Sequence, residues 1–160
     1  LGLSVAYNIA PWLTADVTLM NGEGFKLAEA DSTLKTAVGV TLIPLSNFTL
    51  RGYFDNMGRD GISQQTAEVI ASFESNGSLL SGAWHYRKNS GLITGHDYHV
   101  ISFNGRVPVS DKIRILGRYD FAASARVGNE VDPWNLDRDG QLFLAGIEFA
   151  LSPGVSLSPN

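Results

Sequence analysis

Residues 113–121 read Ile113-Arg114-Ile115-Leu116-Gly117-Arg118-Tyr119-Asp120-Phe121, and a second stretch runs Gln141-Leu142-Phe143-Leu144-Ala145-Gly146-Ile147-Glu148-Phe149-Ala150-Leu151. In the first, Ile113, Ile115, Gly117, Tyr119 and Phe121 alternate with Arg114, Leu116, Arg118 and Asp120. In the second, Phe143, Ala145, Ile147, Phe149 and Leu151 alternate with Leu144, Gly146, Glu148 and Ala150. Successive side chains of a strand point to opposite faces, so period two sorts charge to one face and apolar groups to the other. A helix over either stretch would set its charges in the middle of its apolar face. Both stretches therefore predict strands.

The same period extends outward in both directions. It recurs in residues 1–9, 13–19, 34–42, 48–55, 66–74, 80–87 and 100–107, with Ile70 the exception on its polar side, and a tenth segment starts at Val155. Short turns are expected at Ala10-Pro11-Trp12, Pro44–Asn47, Ser75–Ser78, Pro108–Lys112 and Ser152-Pro153-Gly154. Proline cannot donate to a ladder and marks strand ends, and Asn76-Gly77 suits a tight hairpin. The remaining connections, Asn21–Thr33, Asn56–Gln65, Lys88–Asp97 and Ala122–Gly140, read as long polar loops. The predicted fold class is all-β: an antiparallel up-and-down transmembrane β-barrel with about ten strands here, part of a larger barrel, forming a single domain or a fragment of one over residues 1–160.

Strict alternation of short turns with long loops is the pattern of an outer-membrane barrel. Twelve residues carry charge on the polar side: Asp16, Lys35, Arg51, Asp55, Glu68, Glu74, Arg87, Arg106, Arg114, Arg118, Asp120 and Glu148. These are the expected pore-lining residues. Val38, Val40, Leu50, Ile115, Ile147 and Phe149 are expected to face lipid. Tyr7, Trp12, Phe48, Trp84, Tyr86, Tyr119 and Phe121 gather toward strand ends, as an interfacial girdle requires. Alternation alone also fits a soluble ligand-binding barrel with its apolar face inside, or a filled-lumen structural or adhesive barrel whose loops bind a partner.

Composition narrows the classes. The chain has 160 residues, no Cys, and a formal net charge of −4. The acidic balance argues against a nucleic-acid partner, which selects for basic surfaces. No apolar run approaches the ~18 residues of a membrane-spanning helix, a length that spanning strands do not need. Leu1–Ile9 already reads as a strand, and Ser158-Pro159-Asn160 falls inside what reads as a new one, so a piece of a longer chain is expected.

The stretch 113–121, the acidic loop after it and residues 141–157 together resemble the last hairpins of bacterial outer-membrane porins. They are most similar to the phosphate-selective porin type, in which an Arg-Tyr-Asp strand precedes a closing hairpin. The resemblance implies the C-terminal portion of such a barrel, in the outer membrane, as a homotrimer that passes anions. The terminal aromatic residue of those proteins is absent.

Other motifs carry less. Asn135, Asp137, Asp139 and Gly140 match the first half of a calcium loop, but the acid due six positions later falls on Gly146. His96 and His99, three apart, would point to opposite faces of a strand and lack a third ligand. Asn47-Phe48-Thr49 and Asn76-Gly77-Ser78 fit the glycan sequon but sit in tight turns. His85, His96 and His99 have no assignable nucleophile or paired acid, so neither an enzyme nor a metal or other cofactor is expected. The expected function is passive diffusion of ions and small hydrophilic solutes through a porin in contact with outer-membrane lipid. Small inward residues (Gly2, Ala6, Gly39, Ala83, Gly146) leave room for an open lumen. With Val109–Asp111 as a hairpin tip, Arg106 and Arg114 are expected directly opposite each other as a local anion-favouring pair, with Glu148 neutralising Arg118 as the bland alternative.

Overall fold

The computed structural model describes residues 2–22, 33–152 and 155–158. It contains one antiparallel sheet of ten strands, each beside its neighbour in sequence. The strands are β1 (Gly2–Ala10), β2 (Leu13–Asn21), β3 (Leu34–Leu45), β4 (Phe48–Arg59), β5 (Ile62–Ser75), β6 (Ser78–Lys88), β7 (Tyr98–Ser110), β8 (Ile113–Ser124), β9 (Gly140–Ser152) and β10 (Val155–Leu157). Short 3-10 turns at Ser90–Leu92 and Leu136–Arg138 lie in the β6–β7 and β8–β9 connections.

β3 to β9 run 11 to 14 residues each. A globular strand averages about 5–6 residues, whereas a tilted bilayer-spanning strand needs about 9–11. Among the described residues β1 pairs only with β2, and β10 only with β9. The ten strands thus form an open sheet.

One connection differs from its expected length. Asn56–Gln65 is not a long loop: β4 and β5 continue through it in register and meet at Asp60-Gly61. Asp60 has φ 53° and Gly61 φ 79°, matching Asn76 at 49° and Gly77 at 76°. Positive φ at both central residues is what a two-residue hairpin compatible with strand twist demands, and Asp-Gly supplies it as readily as Asn-Gly. The long connections at this end of the sheet are therefore three, after β2, β6 and β8.

A second difference concerns the β7–β8 turn. Pro108 pairs with Arg114 and Ser110 with Ile113, which leaves Val109 as an extra residue in a bulge before the Asp111-Lys112 turn. Pro108 has no N–H for the ladder, and a bulge accommodates that loss. The slip moves Arg106 opposite Leu116, so the expected face-to-face pair of Arg106 and Arg114 does not form.

The register sorts the sheet into two faces. One carries Val38, Phe54, Val69, Trp84, Phe103, Tyr119, Phe143 and Ile147, linked strand to strand as direct partners or near neighbours. Most of it is exposed: Phe143 is 71% and Phe103 56% accessible. The only buried apolar residues among those described are Ala37 and Met57, whereas Asn21, Thr33, Asp55, Gln64 and Thr66 are buried and polar. The chain exposes 10839 Å². A compact monomer of 17.3 kDa exposes about 7,800 Å², so the open sheet exposes roughly 3,000 Å² more than a compact chain of its size.

Candidate functional site: the charged face

All twelve charged residues expected on the polar side share the second face. The ladder fixes this: Asp16 opposes Gly39, Lys35 opposes Met57, Arg51 opposes Thr41 and Ile70, and Asp55 opposes Ala37 and Thr66. Glu68 opposes His85, Glu74 opposes Leu79, Arg87 opposes Thr66 and Tyr98, and Arg106 opposes Leu79 and Leu116. Arg114 opposes Glu148, Arg118 opposes Asn104 and Leu144, and Asp120 opposes Ser102 and Leu142.

Most of these charges are paired. Arg51 meets Asp16 with two nitrogens on two oxygens, at 2.8 and 3.1 Å, and donates to Thr41 Oγ1 at 2.7 Å. Bidentate geometry makes this the strongest kind of side-chain pair. It stands over Gly39, where an added Cβ would lie 2.4 Å from an Arg51 terminal nitrogen and 2.6 Å from both Asp16 oxygens. The pair fits because that residue has no side chain. Lys35 Nζ lies 3.0 Å from Asp55, which also accepts from the Tyr53 hydroxyl at 2.9 Å. Arg118 Nε donates to Asp120 at 2.7 Å, and Arg114 pairs with Glu148. Glu148 thus neutralises Arg114 and not Arg118. Glu68 lies 3.6 Å from His85 Nδ1.

Three charges remain. Among the described residues, Glu74, Arg87 and Arg106 form no ion pair. Arg87 Nε donates to Thr66 Oγ1 at 3.3 Å, and its guanidinium lies 5.7 Å from the centre of the Tyr98 ring. Arg106 has its Nε buried with no hydrogen-bond partner. Among the described residues the face therefore carries four neutralised pairs, two cations that lack an acid, Arg87 and Arg106, and two acids that lack a Lys or Arg, Glu68 and Glu74.

Two loops fold over the end of this face. In the β6–β7 loop, Gly91 N donates to the buried Gln64 Oε1 at 2.8 Å, and Asn89 Nδ2 donates to Ser63 O at 2.8 Å. Asp97 ties the loop base, accepting from Asn89 N at 2.8 Å and from the Tyr86 hydroxyl at 3.0 Å. The β8–β9 loop docks on it: Trp134 Nε1 donates to Asp97 O at 2.8 Å. Its ring stacks on His96 at 4.3 Å and lies 6.2 Å from Tyr98, which in turn stacks on His85 at 5.7 Å. An aromatic chain beside Arg87 thus borders this end of the charged face. Periodicity did not single out Trp134, a loop residue, or Tyr98, which opens β7 before the alternation becomes legible at residue 100.

The half calcium loop is otherwise engaged, since Asp139 Oδ2 accepts from Ser124 N at 2.9 Å and from Ser124 Oγ at 2.7 Å. His99 sits on the apolar face, 6.0 Å from Phe121, away from His96. No cluster of three metal-ligating side chains occurs among the described residues. Compared with known proteins, the chain matches no family model, no curated protein and no solved structure.

Proposed function

We propose that these strands form the wall of an outer-membrane diffusion porin that passes ions and small hydrophilic solutes, without catalysis or a cofactor. The observation that carries the reading is the pairing of a broadly exposed apolar face with a charged face on the same long strands. Lipid is the medium that lowers the free energy of the first, and water that of the second. A soluble barrel would bury the apolar face, yet the only buried apolar side chains among the described residues, Ala37 and Met57, lie on the charged face. In hydrocarbon the outer edges of β1 and β10 must be hydrogen-bonded, so the reading requires closure of the sheet with further strands or with itself. The resemblance of residues 113–121 and 141–157 to phosphate-selective porins supports this placement, and with it a trimer in a bacterial outer membrane.

Ion pairing sets the expected selectivity. Neutral pairs contribute little field, so local preference rests on the charges outside them, with Arg87 and Arg106 as the anion-favouring positions and Glu68 and Glu74 opposing them. This replaces the pair of Arg106 and Arg114 as the anion-favouring element. The test is conductance of the full-length protein in planar bilayers under a salt gradient. Stepwise ohmic currents are expected, with a reversal potential that Arg106→Gln moves toward cations. The double variant Arg114→Gln/Glu148→Gln, which removes a neutral pair, is expected to leave it in place. Absence of any conductance would instead favour a filled-lumen barrel, a reading consistent with the loop that lies over Gln64.

A further inference from the structure

Between β6 and β9 the charged face changes character. Leu79, Leu116 and Leu144 face the same way as Arg106 and Arg118. With Gly146 they line a cavity of about 530 Å³. Such a volume lies within the ~300–1,000 Å³ of small-molecule sites. Leu144 is 53% exposed, so apolar surface stands open beside Arg106 and Arg118. Gly146 leaves the floor free: a Cβ added there would meet nothing nearer than Leu116 at 3.9 Å.

Arg106 stands between Leu79 and Leu116 at the rim, its Nε buried without an acceptor. Arg106 as a whole is half-buried, and a cation that has no acid and no acceptor on its Nε is stabilised by an anion on its guanidinium. The nearest acid along the same row is Glu74, on the far side of Leu79, and it forms no ion pair among the described residues. Arg118, held by Asp120 at 2.7 Å, closes the polar end.

We infer that this cavity binds a small carboxylate carrying an apolar ring or short acyl tail, with the carboxylate on Arg106 and the tail on the three leucines. Inorganic phosphate would satisfy Arg106 but leave the leucines wet. A neutral apolar solute would cover the leucines but leave Arg106 Nε unmatched. The inference deepens the porin reading, and rests on it in one respect: the charged face must be open to water.

The test is ligand-observed NMR on the full-length protein in detergent micelles. Benzoate is the probe, benzyl alcohol reports micelle partitioning, and phosphate is the apolar-free anion. Benzoate is expected to bind more tightly than phosphate. Arg106→Gln is expected to weaken benzoate about tenfold or more, the effect of losing a charge-assisted hydrogen bond. Leu144→Asn is expected to weaken benzoate and leave phosphate unchanged, and Glu74→Gln to leave benzoate binding intact. Phosphate binding as tight as benzoate, or an unchanged benzoate affinity in Arg106→Gln, overturns the inference. If Arg106→Gln fails to fold, as judged by its strand circular dichroism, Arg106→Lys and Leu144→Asn decide: benzoate affinity unchanged in both overturns it. Conductance is measured separately. Channels that do not bind benzoate remove this site alone, whereas benzoate binding without conductance removes the porin reading alone.

Discussion

Val69 offers a calibrated test of which face meets lipid. It lies near the middle of β5, between Gly52 and Trp84, and is 45% exposed. It stands seven residues from Asn76 at the turn. At about 3.3 Å per residue and a tilt near 40°, that is roughly 18 Å above the turn, well inside a ~25 Å apolar band and within about 6 Å of its midplane. Leu45 is also exposed beside Phe48 but adjoins the Ser46-Asn47 turn, at the band's edge. Ser72 faces the other way, between Thr49 and Ser81. Arginine at Val69 should therefore cost about 2–4 kcal/mol, whereas at Leu45 it should cost about 0–1 kcal/mol because the interface is wet. Arginine at Ser72 should cost under about 1 kcal/mol, as a lumen substitution. The assay is reversible urea unfolding of the full-length protein in lipid vesicles, followed by Trp fluorescence. A cost at Leu45 equal to that at Val69 would show no dependence on depth and refute lipid as the surrounding medium. A cost at Ser72 equal to that at Val69 would refute the division of faces.

Three further outcomes are expected. Gly61→Ala should lower stability by about 1–2 kcal/mol, the cost of a left-handed residue with a side chain, because Gly61 has φ 79°; an unchanged urea midpoint would place the turn elsewhere. Gly39→Ala should push Asp16 and Arg51 apart, reducing their double-mutant-cycle coupling from about 1 kcal/mol toward zero; a coupling that survives would mean the pair does not need the bare backbone at Gly39. Asp97→Ala strands the Asn89 N–H and the Tyr86 hydroxyl. It should loosen the β6–β7 loop by about 1–3 kcal/mol, read as faster amide exchange at residues 89–97 while β4 and β5 keep their protection.

Strand identity and face assignment were legible in the sequence because period two survives any register. Every charge expected on one face lies there, since a one-residue slip would have moved whole strands to the other side. Two things were not legible. The Asp60-Gly61 hairpin was hidden because Asn56, Arg59, Ser63, Gln64 and Gln65 put polar groups on both faces, so the stretch read as loop. The register of β7 against β8 was hidden by the Val109 bulge, which no alternation reveals and which decided that Arg106 opposes Leu116. Ion pairing followed from register: Glu148 reached Arg114 as its direct partner, and Arg118 turned to Asp120 on its own strand. The aromatic border at the end of the charged face depends on Trp134 in a loop, and loop placement is set by contacts far apart in sequence, such as Trp134 with Asp97.

The proposed division of the sheet between lipid and water is open to direct measurement. The chain contains no cysteine, so single Cys replacements at positions 67 to 73 along β5 carry one spin label each without background. In vesicles of the full-length protein, collision with oxygen, which concentrates in lipid, is compared with collision with a water-soluble nickel chelate. The account predicts period two: labels at Ala67, Val69, Ala71 and Phe73 favour oxygen, and those at Glu68, Ile70 and Ser72 favour nickel. The same period with opposite phase, or accessibility to nickel at every position, would contradict it.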